Sequence, residues 1–355
     1  MREENYHMDN KEFITYIAAL INKKDLSRQQ ACACFKEIIV DNPSRMQQGA
    51  FIAAITAKGQ TSAEIAGIWQ AIYELDTVKV QVNSRYPLME NCGSGMDAVK
   101  TFNISSAAAI VAAADGIAMA KHGARAITSA CGTIDILEEL GINVECAPEA
   151  VKNSIEKAGI GVFNGMSSYV HPRALGRILS ETSFGTVLNI AASLANPALP
   201  LLAVRGVYSK TMLLPVAQTM RHIGYKRALV VYGEDEHGRG LDEASTMGLT
   251  YICELQEDGR VLHYTFAPED FGLKRTKAGD LAMGASKSAE ASRMLRLLNA
   301  QEDQARTDIV CLNAALAIYL AGHQPNVQQA FKRAYDIISS GLAAKKLNDW
   351  IRIQQ

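Results

Sequence analysis

The sequence predicts an α/β protein in two parts. A small helical domain spans residues 1–80, with helices near 148–182 as candidates to join it. A larger α/β domain over 86–355 carries a mostly parallel central sheet. Three observations lead there. Up to about residue 80 the apolar residues recur at helical spacing with no strand pattern between them. From Tyr86 onward, short apolar runs alternate with helical segments. That alternation, continued towards the C-terminus, is what a parallel sheet with crossover helices requires.

In the N-terminal part, Asn10–Asn22 carries Phe13, Ile14, Ile17, Leu20 and Ile21 on one helical face. Ser27 precedes a helix holding Cys34, Phe35, Ile38 and Ile39. Pro43 and Ser44 open a third, with Met46, Phe51, Ile52 and Ile55 before Gly59. Thr61-Ser62-Ala63-Glu64 has the spacing of a capping box and starts a fourth. The apolar faces of these helices serve either core packing or a dimer contact.

Strands are expected at 87–91, 117–121, 161–163, 201–205, 227–232, 250–256 and 260–265. Asp258-Gly259 should turn the last two into a hairpin at the sheet edge. Helices are expected at 104–114, 134–140, 148–158, 211–223, 278–298, 307–321 and 327–340, with 308–347 covering the sheet.

The composition, with 48% hydrophobic and 21% charged residues, suits a soluble globular protein. A net charge of −1 gives no global field towards nucleic acid or an anionic membrane. No run approaches the roughly 18 apolar residues of a transmembrane helix, and the polar start MREENYHMDNKEF does not read as a signal peptide. The seven cysteines are scattered, without the paired spacing of a metal cluster, as expected of free thiols in a reducing cytoplasm.

The densest chemistry lies between Asn91 and Asp135. Gly93 and Gly95 form a glycine turn after a strand. Asn103-Ile104-Ser105-Ser106 enters an Ala-rich helix, and Lys121-His122-Gly123-Ala124-Arg125 follows a second strand. Ser129, Gly132 and Thr133 lead to another helix start near Asp135. Glycine turns and helix starts present free N–H groups to anions, and the two cations add formal charge. A phosphate-bearing ligand is expected here. Taken singly, the glycine turn reads equally as an ordinary strand-to-helix connection, and His122 as a structural histidine. Further on, Asp242-Glu243 is either a solvated acidic loop or part of a site for a hard cation such as Mg²⁺.

Through nearly its whole length the sequence resembles the anthranilate phosphoribosyltransferase family. The family's G-T-G-G-D appears as Gly93-Ser94-Gly95-Met96-Asp97, and its F-N-I-S-T as Phe102-Asn103-Ile104-Ser105-Ser106. K-H-G-N-R appears as Lys121-His122-Gly123-Ala124-Arg125, S-S as Thr128-Ser129, and G-S-x-D as Gly132-Thr133-Ile134-Asp135. Asn196-Pro197-Ala198, Gly206-Val207-Tyr208-Ser209, Gly240-Leu241-Asp242-Glu243, Pro268–Gly272 and Leu312-Asn313-Ala314-Ala315 follow in family order.

The resemblance implies a nucleoside phosphorylase/phosphoribosyltransferase-like fold and a cytoplasmic homodimer. It also implies phosphoribosyl transfer from phosphoribosyl diphosphate to an aromatic nitrogen acceptor, anthranilate in the tryptophan-biosynthetic family. By resemblance, Gly93, Asp97, Thr101, Asn103, Ser105, Ser106, Lys121, Arg125, Ser129 and Thr133 line the donor site. Ser105, Asp242 and Glu243 hold Mg²⁺, and His122, Ala124, His171 and Leu179 line the acceptor pocket. No single catalytic residue is implied.

The sequence departs from the family at several of these positions. Met96 replaces the second glycine of G-G-D and is expected to crowd the diphosphate. Ala124 replaces the asparagine that touches anthranilate. Leu179, or Glu181 in another register, stands where the family has the arginine facing anthranilate's carboxylate, with Arg173 and Arg177 nearby as substitutes. Ala192-Ser193 replaces G-P, and the loop before Asp242, Glu234–Arg239, is longer. Losing a charge-assisted bond to a carboxylate costs roughly 1.5–3 kcal/mol, so the departures predict an acceptor other than anthranilate. A nucleoside phosphorylase-like enzyme is the alternative. A catalytically silent paralogue binding ligand or nucleic acid is the other, and the net charge weighs against broad nucleic-acid affinity.

Overall fold

The computed structural model describes residues 8–125 and 131–355. The chain opens with α1 (Asn10–Ile21), α2 (Arg28–Ile39), α3 (Arg45–Lys58) and α4 (Ser62–Leu75). Each starts where a short polar side chain captures the first free N–H groups. Ser27 with Gln30, Ser44 with Gln47 and Thr61 with Glu64 form reciprocal capping boxes. Glu64 is fully buried and also accepts from Leu26 N at 2.9 Å and Lys58 Nζ at 3.0 Å, tying the entry of α2 to α4. Met46, expected on the apolar face of α3, is 85% exposed instead.

The α/β part follows as β1 (Met89–Cys92), α5 (Ile104–Ala114), β2 (Met119–Gly123), α6 (Thr133–Glu139), α7 (Pro148–Ala158) and β3 (Ile160–Asn164). Then come α8 (Leu175–Thr182), α9 (Leu188–Ala191), β4 (Leu202–Gly206), α10 (Leu213–Ile223), β5 (Arg227–Glu234) and β6 (Gly240–Leu241). The chain closes with β7 (Thr250–Leu255), β8 (Val261–Phe266), α11 (Lys287–Leu298), α12 (Gln304–Leu320), α13 (Val327–Ser339) and α14 (Leu342–Ile353). The strands lie in the order β3-β2-β1-β4-β5-β7-β8, with β6 folded back on β5. Pairing is parallel from β3 to β5, and β7 and β8 add an antiparallel edge turned at Gly259, where φ is +82°.

One sheet face packs on α5, α11, α12, α13 and α14, with Met89, Val204 and Val231 pointing into that layer. The opposite face, through Ala203, Ala228 and Val230, packs on α10 and continues into the N-terminal helices. Residues of α8 and α9 share this second cluster, whereas Val151 and Ile155 of α7 pack with Phe163 of β3.

Three stretches differ from the sequence expectation. The helix expected at 278–298 divides into a 3-10 turn, Ala278–Leu281, and α11, which starts afresh at the Ser286 cap. The four-residue α9 and the two-residue β6 carry too few residues for periodicity to show. The amphipathic run expected over 308–347 divides at two short breaks into α12, α13 and α14, and its last helix docks Trp350, fully buried, with Nε1 donating to Gln354.

Helices α2 and α4 come together at Gly67, where an added Cβ would collide with the Arg28 carbonyl oxygen. Gly67→Ala should therefore force the two helices apart and lower the unfolding free energy by about 1–3 kcal/mol in urea titration.

Candidate active site

The ends of β1, β2, β4 and β5 converge where open α/β sheets present ligand sites, beyond the carboxyl ends of parallel strands. Here a cavity of about 480 Å³ opens. Gly93, Asp97, Thr101, Asn103, Ser105, Arg125 and Thr133 line it from the donor set, together with His122, Ala124 and Leu179 from the acceptor set and both Asp242 and Glu243.

The turn after β1 is built around one carboxylate. Asp242 Oδ2 accepts from Gly95 N at 2.7 Å and Ser94 Oγ at 2.9 Å. A Cβ on Gly93 would fall 2.6 Å from that carboxylate, and one on Gly206 would overlap the Asp242 carbonyl oxygen. Both glycines are thus required by close approach, not by turn conformation. Glu243 Oε1 lies 3.3 Å from Ser105 N at the start of α5. Burial, then the charges of Asp242 and Asp97, push the Glu243 carboxyl well above its ordinary range. Burial and the neighbouring Asp242 raise Asp97 to about 6. Lys100, with its Nζ 3.1 Å from Asp97 Oδ1, offsets only part of this crowded negative charge.

Among the described residues no three His, Cys, Asp or Glu side chains converge closely enough to cage a metal. Two carboxylates beside an anion site suit Mg²⁺ nonetheless, because that ion keeps waters and takes substrate phosphate oxygens.

Two residues of the donor set lie behind the cavity wall. Lys121 is buried, and its Nζ donates to Asn91 O at 3.0 Å and Asn91 Oδ1 at 2.9 Å. Ser106 is fully buried, and its hydroxyl has no partner among the described residues. Ser129 lies outside the described residues. Arg125 lines the cavity but is paired with Glu138 at 2.7 Å and Glu145 at 3.0 Å, which raises its pKa.

In the acceptor set, His171 does not line the cavity. It backs His122 with their Nε2 atoms 3.3 Å apart, while its Nδ1 faces the Asp76 carbonyl at 2.8 Å. Burial, then His171, drives His122 down to about 3, so its imidazole is neutral. The expected substitutes for an arginine at Leu179 do not serve. Arg177 turns to Gln48, Asp41 and Glu181, Glu181 is also held by Arg45, and Arg173 is exposed away from the cavity.

Met96 reaches towards Gly185, where an added Cβ would fall 2.5 Å from its Cε. Sequence reasoning missed Lys100, Leu175, Phe184, Gly185, Leu188 and Asn189, which also line the cavity. The signal available was the spacing of Leu175, Ile178 and Leu179 on one helical face.

Comparison with known proteins agrees with this architecture. Residues 14–75 match the helical bundle domain of a glycosyl transferase family, and residues 85–344 match that family's a/b domain. Fold and match define a two-part glycosyl transferase. An anthranilate phosphoribosyltransferase from Thermoanaerobacter sp. (strain X514) is 35% identical over 339 residues, covering 96% of this chain and 98% of its own. One from Anaeromyxobacter dehalogenans (strain 2CP-C) is 38% identical over 336 residues, 94% of this chain and 96% of its own. The crystal structure of anthranilate phosphoribosyltransferase from Thermus thermophilus superposes with a TM-score of 0.85 at 31% identity, covering 96% of this chain and 99% of that one. The chain belongs to the anthranilate phosphoribosyltransferase family and is a phosphoribosyl transferase enzyme.

Burial lowers the Lys121 pKa from 10.5 to about 8. The folded protein thus releases this proton before the unfolded chain does, so stability attributable to Lys121 rises with pH between about 8 and 10.5, on the order of 1 kcal/mol per pH unit. Denaturant titrations at about pH 7.5 and about pH 9.5 should show that slope in the wild type relative to Lys121→Met.

Proposed function

We propose that this enzyme transfers phosphoribose from phosphoribosyl diphosphate to anthranilate in tryptophan biosynthesis, with Mg²⁺, as a cytoplasmic homodimer. The observation that carries this is the full-length identity to enzymes named for that reaction. It weighs against the expectation of a different acceptor, which rested on Ala124 in place of the asparagine and on the arginine missing at Leu179. A yeast anthranilate phosphoribosyltransferase of the same fold, 21% identical, was solved in complex with PRPP and Mg. Among the described residues no helix is long and apolar enough to cross a membrane. The helices α8 and α9 form, on this reading, part of the helical domain.

In the reaction the C1–O bond to diphosphate breaks, a C1–N bond to the acceptor amine forms, and the amine loses a proton. Positive charge develops at the sugar and negative charge on the leaving group. The Gly93–Asp97 turn and the start of α5, with Thr101, Asn103, Ser105, Ser129 and Thr133, bind and orient the donor. Preorganised donors of this kind are strongest where charge grows. Lys121 and Ser106 support that wall from behind, and Arg125 adds charge at its rim. Asp242, Glu243 and Ser105 would hold Mg²⁺, which supplies charge neutralisation for the departing diphosphate. His122, Ala124 and Leu179 bound the acceptor end, with His171 fixing the His122 ring.

Diphosphate release should require phosphoribosyl diphosphate, anthranilate and Mg²⁺ together, and Asp242→Asn or Glu243→Gln should cut kcat/KM roughly 10–100-fold. Phosphorolysis of nucleosides without diphosphate release, or failure to bind the donor in calorimetry, would overturn the assignment.

A further inference from the structure

Arg205 is the penultimate residue of β4 and is fully buried. It stands in register with Cys92 of β1, which lines the cavity. Its Nη2 donates to Ser193 Oγ and, at 3.4 Å, to the Asn189 carbonyl. Its Nε and Nη1 have no partner among the described residues. Guanidinium nitrogens left unbonded in the interior are costly, and more so for a charged group.

The neighbouring anion does not bond these nitrogens. Glu90 feels Arg205, yet its oxygens are occupied by Tyr225 OH at 2.7 Å and Asn196 Nδ2 at 2.9 Å. Ser193 and Asn189, the groups Arg205 does bond, line the cavity alongside Leu175, Leu179, Leu188 and Ala192. The Ser193 hydroxyl hydrogen is already used on the Asn189 carbonyl at 2.6 Å. Positive charge at this apolar end therefore comes from the guanidinium behind the serine. The other cations lining the cavity are engaged, Arg125 by Glu138 and Glu145 and Lys100 by Asp97.

We propose that Arg205 is a specificity-determining positioning residue, whose buried charge behind Ser193 selects an acceptor bearing a carboxylate. It does from β4 what an arginine at position 179 would do from α8. The inference rests on the acidic aromatic amine acceptor proposed above.

The test compares anthranilate with 2-aminobenzamide, in which a neutral amide replaces the carboxylate, at saturating phosphoribosyl diphosphate and Mg²⁺. Wild type should favour anthranilate in kcat/KM. Arg205→Met should raise the anthranilate KM roughly 10–100-fold, leave the donor KM little changed and abolish the preference, while Arg205→Lys retains it. Should Arg205→Met not fold, Ser193→Asp keeps the arginine but neutralises it locally, and the preference should again vanish. A parallel loss of both acceptors would make Arg205 only a cap for the α9 carbonyls and overturn the proposal, as would a preference that survives Arg205→Met or Ser193→Asp. Absence of turnover of anthranilate by wild type would defeat the anthranilate assignment alone. Calorimetry of both ligands on wild type and the variants then decides, and binding without Arg205-dependent preference overturns the proposal.

Discussion

The clasp on Asp242 is the contact on which the active site depends. Its carboxylate is held by Ser94 Oγ and Gly95 N of the turn after β1, and its backbone lies against Gly206 at the end of β4. Three chain segments far apart in sequence are thereby brought to one point: the glycine turn, the rim of β4 and the loop following β6. A parallel sheet supplies the frame, because β1 lies between β2 and β4 and all their carboxyl ends open on one side. With no side chain at Gly93 or Gly206, the acidic loop descends onto that rim. Glu243 then reaches the start of α5, so the negative charges and the helix N-terminus face the same cavity.

The interior around this clasp is rich in ionisable groups that are hydrogen-bonded more than ion-paired. Lys121 is bonded to Asn91, and Glu90 to Tyr225 and Asn196. His122 is kept neutral by burial. Charged groups left in this state are expensive to bury. Ligands of opposite charge can offset that cost on binding. Met96 fits the same picture. Its side chain, expected to crowd the diphosphate, reaches the opposite wall, where Gly185 leaves room for it.

Much of the fold was legible in local pattern. Capping residues Ser27, Ser44 and Thr61 marked helix starts because a short side chain satisfies the first N–H groups wherever it stands. Strands β1 to β5 read as apolar runs because both faces of a parallel sheet are covered. The stretch from Gly165 to Ser193 was legible only in part, as candidate helices up to residue 182. Its helices α8 and α9 are short and lean on the N-terminal bundle, so their stability comes from contacts distant in sequence. That stretch carries much of the cavity wall opposite the glycine turn, which is why the Asn91–Asp135 side of the cavity was read more completely.

Sequence by itself determined the family, the order of the elements and the donor motifs, since these are strings of residues whose local chemistry travels with them. Only the tertiary structure decided that Lys121 and Ser106 stand behind the wall, that His171 backs His122, and that Arg177 turns away to Glu181. It alone brought Arg205 beneath Ser193. The physical reason is that burial, and the field of one charge on another, depend on distance in space, which the spacing of residues along the chain does not contain.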